Sequence, residues 1–269
     1  MGLRVEKKFF VLLLSICVLF SLAGNLDGAS KLEKIKKAGK IVAGTSADYP
    51  PYEFRPISDD DSIYGMDIDI ANEIAKELGV KLEIKEIVFS RLFDAVNKGE
   101  IDFIIAGLSP TEKRKKLVDF SVPYYKALQN MLIRKTDLDK IGSLEDLRNK
   151  KVGTQKGSIQ EELVKQQIDG AKFTEEDTII KLVDKLKKLE IDAIILEKPV
   201  AESYAKRNKI LINIECVSGA SFLGSAIAVK KGDKELLKKI NKILEKLKQN
   251  NMIIEFAENA KLLMKGKKK

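Results

Sequence analysis

From residue 30 onward the apolar positions alternate between two periods. Lys40 to Gly44 reads as a short buried strand that opens into the small, polar loop Thr45 to Pro51. In Met66 to Leu78, Ile70, Ile74 and Leu78 recur every fourth position with Ala71 and Ala75 beside them. This is one stripe of a helix, and Gly79 stands where a left-handed C-terminal residue is wanted. Lys81 to Ile84 alternates polar and apolar, as a strand does. Ser90 is positioned to cap a helix carrying Leu92, Phe93 and Val96 and closed by Gly99, and Ile101 to Ala106 follows as a strand.

The second half repeats the rhythm. Lys151 to Gly153 reads as a strand, Ser158 and Glu161 as a capping box, Thr178 to Leu189 as a helix and Ile191 to Leu196 as a strand. The repeat is visible in the residues themselves. Lys98-Gly99-Glu100-Ile101-Asp102-Phe103-Ile104-Ile105 matches Lys188-Leu189-Glu190-Ile191-Asp192-Ala193-Ile194-Ile195 at six of eight positions. Such alternation predicts an α/β protein of two similar lobes, each a mixed, mostly parallel sheet flanked by helices. Gln129 to Lys135 and Ala226 to Lys230 carry the chain between lobes. The expected division is 30–127 plus 225–269 for the first lobe and 130–222 for the second, with hinges near Ala127–Asn130 and Gly219–Gly224. The helices Lys234 to Gln249 and Ile253 to Met264 return to the first lobe. Loops at the strand C-terminal ends then face a shared cleft.

Residues 1–29 read as an address. Arg4, Lys7 and Lys8 precede an apolar run from Phe9 to Leu22, too short to span a membrane and the length of a signal-peptide core. Ala23 and Ala29 are the candidate cleavage positions. A lipid anchor would use Cys17, but Ile16 sits where a small residue should precede that cysteine. The expected location is therefore secreted, periplasmic or cell-surface associated.

Composition narrows the chemistry. The 269 residues carry a formal net charge of +9, are 33% charged and 44% hydrophobic, and include no histidine and no tryptophan. Histidine triads and imidazole metal sites are excluded, and Cys17 and Cys216 alone make neither a zinc cluster nor a disulfide framework. No cofactor or metal is expected. The lysines alternate with acids along helix faces, so the basic excess reads as solvated surface and no nucleic-acid partner is expected.

Four loops carry the candidate chemistry. They are Thr45 to Tyr52 with Ser46, Asp48 and Tyr49; Ala106 to Arg114 with Gly107, Leu108, Ser109 and Arg114; Gln155 to Gln160 with Ser158, Ile159 and Gln160; and Glu197-Lys198-Pro199. A helix N-terminus plus an arginine fork receives a carboxylate, and an opposing acid takes an ammonium. Together they suit a free α-amino acid. Each residue alone also has a plainer reading: Arg114 as one of a solvated charge run, Ser158 as a helix cap, Glu197 as a surface acid, Tyr49 and Phe89 as core.

The chain resembles the extracellular solute-binding proteins of amino-acid ABC transporters, which are two-lobed receptors of the type II periplasmic-binding fold. The likeness lies in Gly44-Thr45-Ser46-Ala47-Asp48-Tyr49-Pro50-Pro51-Tyr52-Glu53-Phe54, Gly65 to Ala71, Ala106 to Arg114, Asp119 to Tyr125, and Ile191-Asp192-Ala193 with the following acid. It implies that Arg114 clamps the ligand α-carboxylate with the N–H groups of Ser109 and Ile159. Gly107 C=O, Ser109 Oγ and Glu197 would hold the ammonium, and Tyr49 and Phe89 would sandwich the side chain. Two positions depart from the pattern: Glu197 where an Asp is common, and Ser46 where members that bind basic ligands often place an Asp. The implied protein is a monomeric receptor, not an enzyme, that delivers its ligand to ABC permease subunits. The first loop with Gly65-Met66-Asp67 points to arginine or another basic amino acid, with Asp48 as the acid for its charge. Glutamine is the nearest alternative, and a prephenate- or arogenate-type dehydratase on the same scaffold is the rival of another class.

Overall fold

The computed structural model describes residues 29–56, 61–215 and 224–264. The leader with Cys17, Cys216, most of the Gly219–Gly224 crossing and the closing lysines lie outside the described residues. The strands in chain order are β1 (Lys40–Thr45), β2 (Asp48–Tyr49), β3 (Glu53–Phe54), β4 (Lys81–Glu86), β5 (Phe103–Ile104) and β6 (Val118–Phe120). They continue as β7 (Gln129–Arg134), β8 (Lys151–Gln155), β9 (Lys172–Glu176), β10 (Ala193–Glu197), β11 (Leu211–Glu215) and β12 (Ala228–Lys230).

Two five-stranded sheets result, ordered β4-β1-β5-β12-β6 and β9-β8-β10-β7-β11, and β2 and β3 form a small hairpin beside the first. In each sheet four strands point one way. The strand that runs against them is β12 in one and β7 in the other, the two that carry the chain across between lobes. A crossing strand enters its sheet from the cleft, where the other strands end, so it must run antiparallel to them.

The internal echo is structural. Asp102 Oδ2 accepts the Val42 N–H at 2.7 Å, and Asp192 Oδ2 accepts the Lys151 N–H at 2.8 Å, so each copy pins a strand of its own sheet, β1 or β8, one place in from the edge strand β4 or β9. A Cβ on Gly44 would lie 2.3 Å from Ile101, and one on Gly153 would lie 2.6 Å from Ile191. Gly99 and Leu189 occupy the same left-handed corner, with φ of 75° and 63°.

Packing follows the apolar stripes. The helix Met66–Leu78 buries Met66, Ile70, Ala71, Ile74, Ala75 and Leu78 against the helices Lys234–Gln249 and Met252–Leu263, which return to the first lobe. A fully buried Ile or Leu there contributes roughly 1.5–3 kcal/mol. Local caps differ from expectation in two places. Ser90 caps nothing, because the turn Phe89–Arg91 is 3₁₀ and the helix proper is Leu92–Lys98. Ser158 does accept the Glu161 N–H, but the Glu161 carboxylate bonds the Gly157 N–H rather than closing a reciprocal box. The edge strands β9 and β11 and the helix Lys198–Arg207 carry no sharp apolar period and emerge only in the structure.

Candidate ligand-binding site

The loops that follow β1, β4, β5, β8 and β10 converge on one small cavity of about 20 Å³. Its wall contains Tyr49, Phe89, Gly107, Ser109, Arg114, Ser158, Ile159, Gln160 and Glu197, nine of the residues expected from sequence. Three others lie elsewhere. Leu108 is wholly buried in the first-lobe core, with its carbonyl accepting the Ala226 N–H. Ser46 and Asp48 line a separate cavity with Phe54, Thr178 and Tyr204. Ala106 and Gln155, expected only as the opening residues of their loops, also line the site.

Arg114 stands in the short helix Glu112–Lys115, whose N-cap Thr111 accepts the Arg114 N–H. Its guanidinium is buried between the rings of Phe89 and Phe93, 5.5 and 5.6 Å from their centres. Nη1 donates to the Ser109 carbonyl at 2.9 Å, and Nη2 reaches across the cleft to the Gly157 carbonyl at 3.0 Å. Burial holds its pKa down at about 10. The comparison with Arg134 is instructive. That arginine is equally buried, but it lies 2.6 Å from Asp137 and 3.5 Å from Asp192 and donates to the carbonyls of Leu186 and Ile191. Arg134 is neutralised within the fold. Among the described residues no carboxylate lies within ion-pair distance of Arg114. It is a buried cation suited to an anion from outside.

Glu197 ends β10 and accepts a short hydrogen bond from Tyr52 Oη, while its own N–H donates to Tyr49 Oη at 3.4 Å. Desolvation raises its carboxyl to about 8. Gly107 adopts φ of 56°, and a Cβ there would press on the Tyr49 ring at 3.1 Å, so the loop needs glycine at this point. Asp67, from the helix Met66–Leu78, anchors that loop by accepting the Gly107 N–H at 2.9 Å together with the Tyr124 hydroxyl. Burial lifts Asp67 to about 6. Glu53, wholly buried, is pushed well above the usual range by desolvation and then by the neighbouring charge of Asp67.

Asp48 was the acid expected to meet a basic side chain, but its carboxylate is engaged elsewhere. Oδ2 accepts the Ile179 N–H at 2.7 Å, at the N-terminus of the helix Ile179–Lys187 in the other lobe, and Gln155 Nε2 at 3.3 Å. Oδ1 accepts Ser46 Oγ, and the Asp48 carbonyl accepts Tyr204 Oη at 2.7 Å. Burial raises the carboxyl to about 7. Residue 48 therefore bridges the two lobes. Local sequence gave no sign of this, because Ile179 is 131 positions away.

Two mixed sheets bracketing a polar cavity at the C-terminal ends of their strands define a two-lobed binding protein of the type II periplasmic class. Residues 41–259 match the family model of bacterial extracellular solute-binding proteins, family 3, and the chain belongs to that family. It is 40% identical over 247 residues to the arginine-binding extracellular protein ArtP of Bacillus subtilis, covering 91% of this chain and 94% of that protein. It is 34% identical over 258 residues to the ABC transporter glutamine-binding protein GlnH of the same organism, covering 93% and 92%. Among solved structures, the amino acid ABC transporter substrate-binding protein AbpA of Streptococcus pneumoniae, bound to L-arginine, matches with a TM-score of 0.84 at 36% identity. That match covers 86% of this chain and 98% of the other. The family and the relatives named are binding proteins, in keeping with a receptor rather than an enzyme.

Proposed function

We propose that this protein is the exported receptor of an amino-acid ABC transporter and that its ligand is L-arginine or another amino acid with a basic side chain. The observation that carries the reading is Arg114, a buried cation with no acidic partner among the described residues, sharing one small cavity with the buried acid Glu197. That pair is complementary to the two ends of a zwitterion, a fixed cation for the carboxylate and a carboxyl that an arriving ammonium holds ionised. In this reading Arg114 clamps the α-carboxylate with the N–H groups of Ser109 and Ile159. Glu197, Gly107 C=O and Ser109 Oγ hold the ammonium, and Tyr49 and Phe89 flank the side chain. The arginine-binding relatives support the basic ligand. A specific observation favours glutamine as the second reading: Asp48 is turned away, and the uncharged Gln155 and Gln160 line the cavity instead.

The lobes, 30–127 plus 225–269 and 130–222, close on the ligand about the crossings at Ala127–Asn130 and Gly219–Gly224. The closed form is then what permease subunits meet. The receptor acts as a monomer outside the cytoplasmic membrane, released by cleavage after Ala23 or Ala29 rather than anchored at Cys17. Native mass spectrometry of the purified protein, followed by calorimetry with a panel of amino acids, tests the assignment. Small-angle scattering with and without saturating ligand tests closure. Absence of binding to any amino acid rejects the receptor reading, and binding of glutamine without arginine moves the ligand to the second reading.

A further inference from the structure

Glu53 lies on β3, where it pairs with Tyr49 across the hairpin, and it is wholly buried. Among the described residues neither of its carboxyl oxygens meets an N–H group or a hydroxyl. The titratable groups that face it are Asp67, Asp48, Glu197, Tyr49 and Tyr124, all of them acids. Its carboxyl is in hydrogen-bond contact with that of Asp67. Gly65 permits this approach. At its φ of 139° a Cβ would lie 2.0 Å from the Tyr52 carbonyl oxygen, and the Asp67 N–H donates to that same oxygen at 2.9 Å. Two carboxyls in contact need a proton between them, because two ionised groups repel when no cation is near. The donors present decide which one carries it. Asp67 Oδ2 accepts the Gly107 N–H at 2.9 Å and the Tyr124 hydroxyl at 2.8 Å, so Asp67 is the ionised partner. Glu53 has no such donors, and an ionised carboxylate buried without them is far costlier than a neutral acid. Burial and the charge of Asp67 push Glu53 well above the usual range, while the bonds from Gly107 and Tyr124 keep Asp67 at about 6.

We propose that Glu53 stays a neutral carboxylic acid in the folded receptor and is a positioning residue of the ligand site, donating its O–H to Asp67. Asp67 then carries one negative charge satisfied by three donors, from β3, from Tyr124 and from the Gly107 loop. That arrangement fixes the Gly107 loop, whose carbonyl faces the ligand ammonium in the receptor reading. Without the Glu53 donor, Asp67 is left underpaired in a dry site and its hold on Gly107 loosens. An ionised Glu53 would push Asp67 away from Gly107 and loosen it in the same way. Glu53 is not part of the cavity wall, so it acts on the ligand only through Asp67 and Gly107. The inference rests on the amino-acid-receptor reading for its effect on binding, and on the packing of the hairpin against the helix Met66–Leu78 for the proton itself.

The test joins infrared spectroscopy of the ligand-free protein to calorimetry with L-arginine and L-glutamine, on the wild type, Glu53→Gln and Glu53→Leu. At about pH 8 an ordinary glutamate is ionised. The wild-type-minus-Glu53→Gln spectrum at that pH should nevertheless contain the carbonyl stretch of a protonated carboxylic acid. Glu53→Gln keeps a donor, an amide N–H, and should bind within about threefold of the wild type, whereas Glu53→Leu has none and should weaken binding about 10-fold or more. A difference spectrum without that band would overturn the proposal, and so would Glu53→Leu affinities within about threefold of wild type. Equal losses in both variants would also overturn it, because the donor would then not be what the site needs. If Glu53→Leu fails to fold, the band and the Glu53→Gln affinities decide the matter. A wild-type protein that binds neither amino acid rejects the receptor reading and the positioning role with it, while the infrared band, read without ligand, still decides whether Glu53 holds the proton.

Discussion

Replacing Arg114 with Met keeps an apolar stem of similar reach and removes only the guanidinium. The effects on binding and on stability should then separate. A ligand carboxylate held by two charge-assisted bonds would lose about 1.5–3 kcal/mol for each and stay buried. The loss is at least about 3 kcal/mol, or more than 100-fold in Kd. The unliganded fold should respond very differently. Burial pulls the guanidinium from 12.5 to about 10, a penalty on the order of 3 kcal/mol that Met does not incur. Against this stand the bonds to the Ser109 and Gly157 carbonyls and the contacts with Phe89 and Phe93. Those are together also worth about 3 kcal/mol. The two nearly cancel, so urea unfolding of the ligand-free variant should stay within about 1 kcal/mol of wild type. Titration calorimetry with arginine and glutamine supplies the other half. Wild-type affinity in Arg114→Met, or a ligand-free protein destabilised by 3 kcal/mol or more, would refute the reasoning and return Arg114 to a structural role.

Asp48→Ala removes a bridge between lobes rather than a ligand contact, so arginine and glutamine should weaken by the same factor, about 10- to 100-fold. A loss confined to arginine in calorimetry would put the Asp48 carboxylate back on the ligand. Asp48, Asp67 and Glu197, lifted to about 7, 6 and 8 by burial, bind protons in the folded chain that the unfolded chain releases. Their contribution to stability is fully present below the unfolded values of 3.8 and 4.5 and is lost as pH rises through about 6 to 8. Ligand-free Tm by calorimetry should therefore be higher at pH 5 than at pH 8.5, and the opposite order would count against buried, closed carboxylates. Leu189 sits at φ of 63° and is 70% exposed, where the other lobe has Gly99. Leu189→Gly should relieve about 1–2 kcal/mol of strain against about 0.5–1 kcal/mol of added chain entropy, a small net gain. A lowered urea midpoint would show that the corner is not strained.

Much of this protein is determined by local sequence. The fourfold apolar stripes of Met66–Leu78 and Lys234–Gln249 set helices and the faces they bury, because a helix brings i, i+4 and i+7 together whatever surrounds it. The echo of Lys98–Ile105 in Lys188–Ile195 set the two-lobed plan, because the Asp and Ile in each copy act on the strand next to them. Loops at strand ends with one arginine and one acid marked the cavity wall. Only the tertiary structure decided where the remaining side chains point. The edge strands β9 and β11 lack a sharp apolar alternation, and their pairing comes from β8 and β7. Asp48 looks from its own loop like a ligand acid. The free N–H of Ile179 in the other lobe captures it first, because a helix N-terminus competes for a carboxylate as a ligand cation would. Gln155 opens a loop that marks the cavity wall, but that its amide meets Asp48 and the Asp177 carbonyl follows only from the fold, because no pattern within β8 encodes partners so distant.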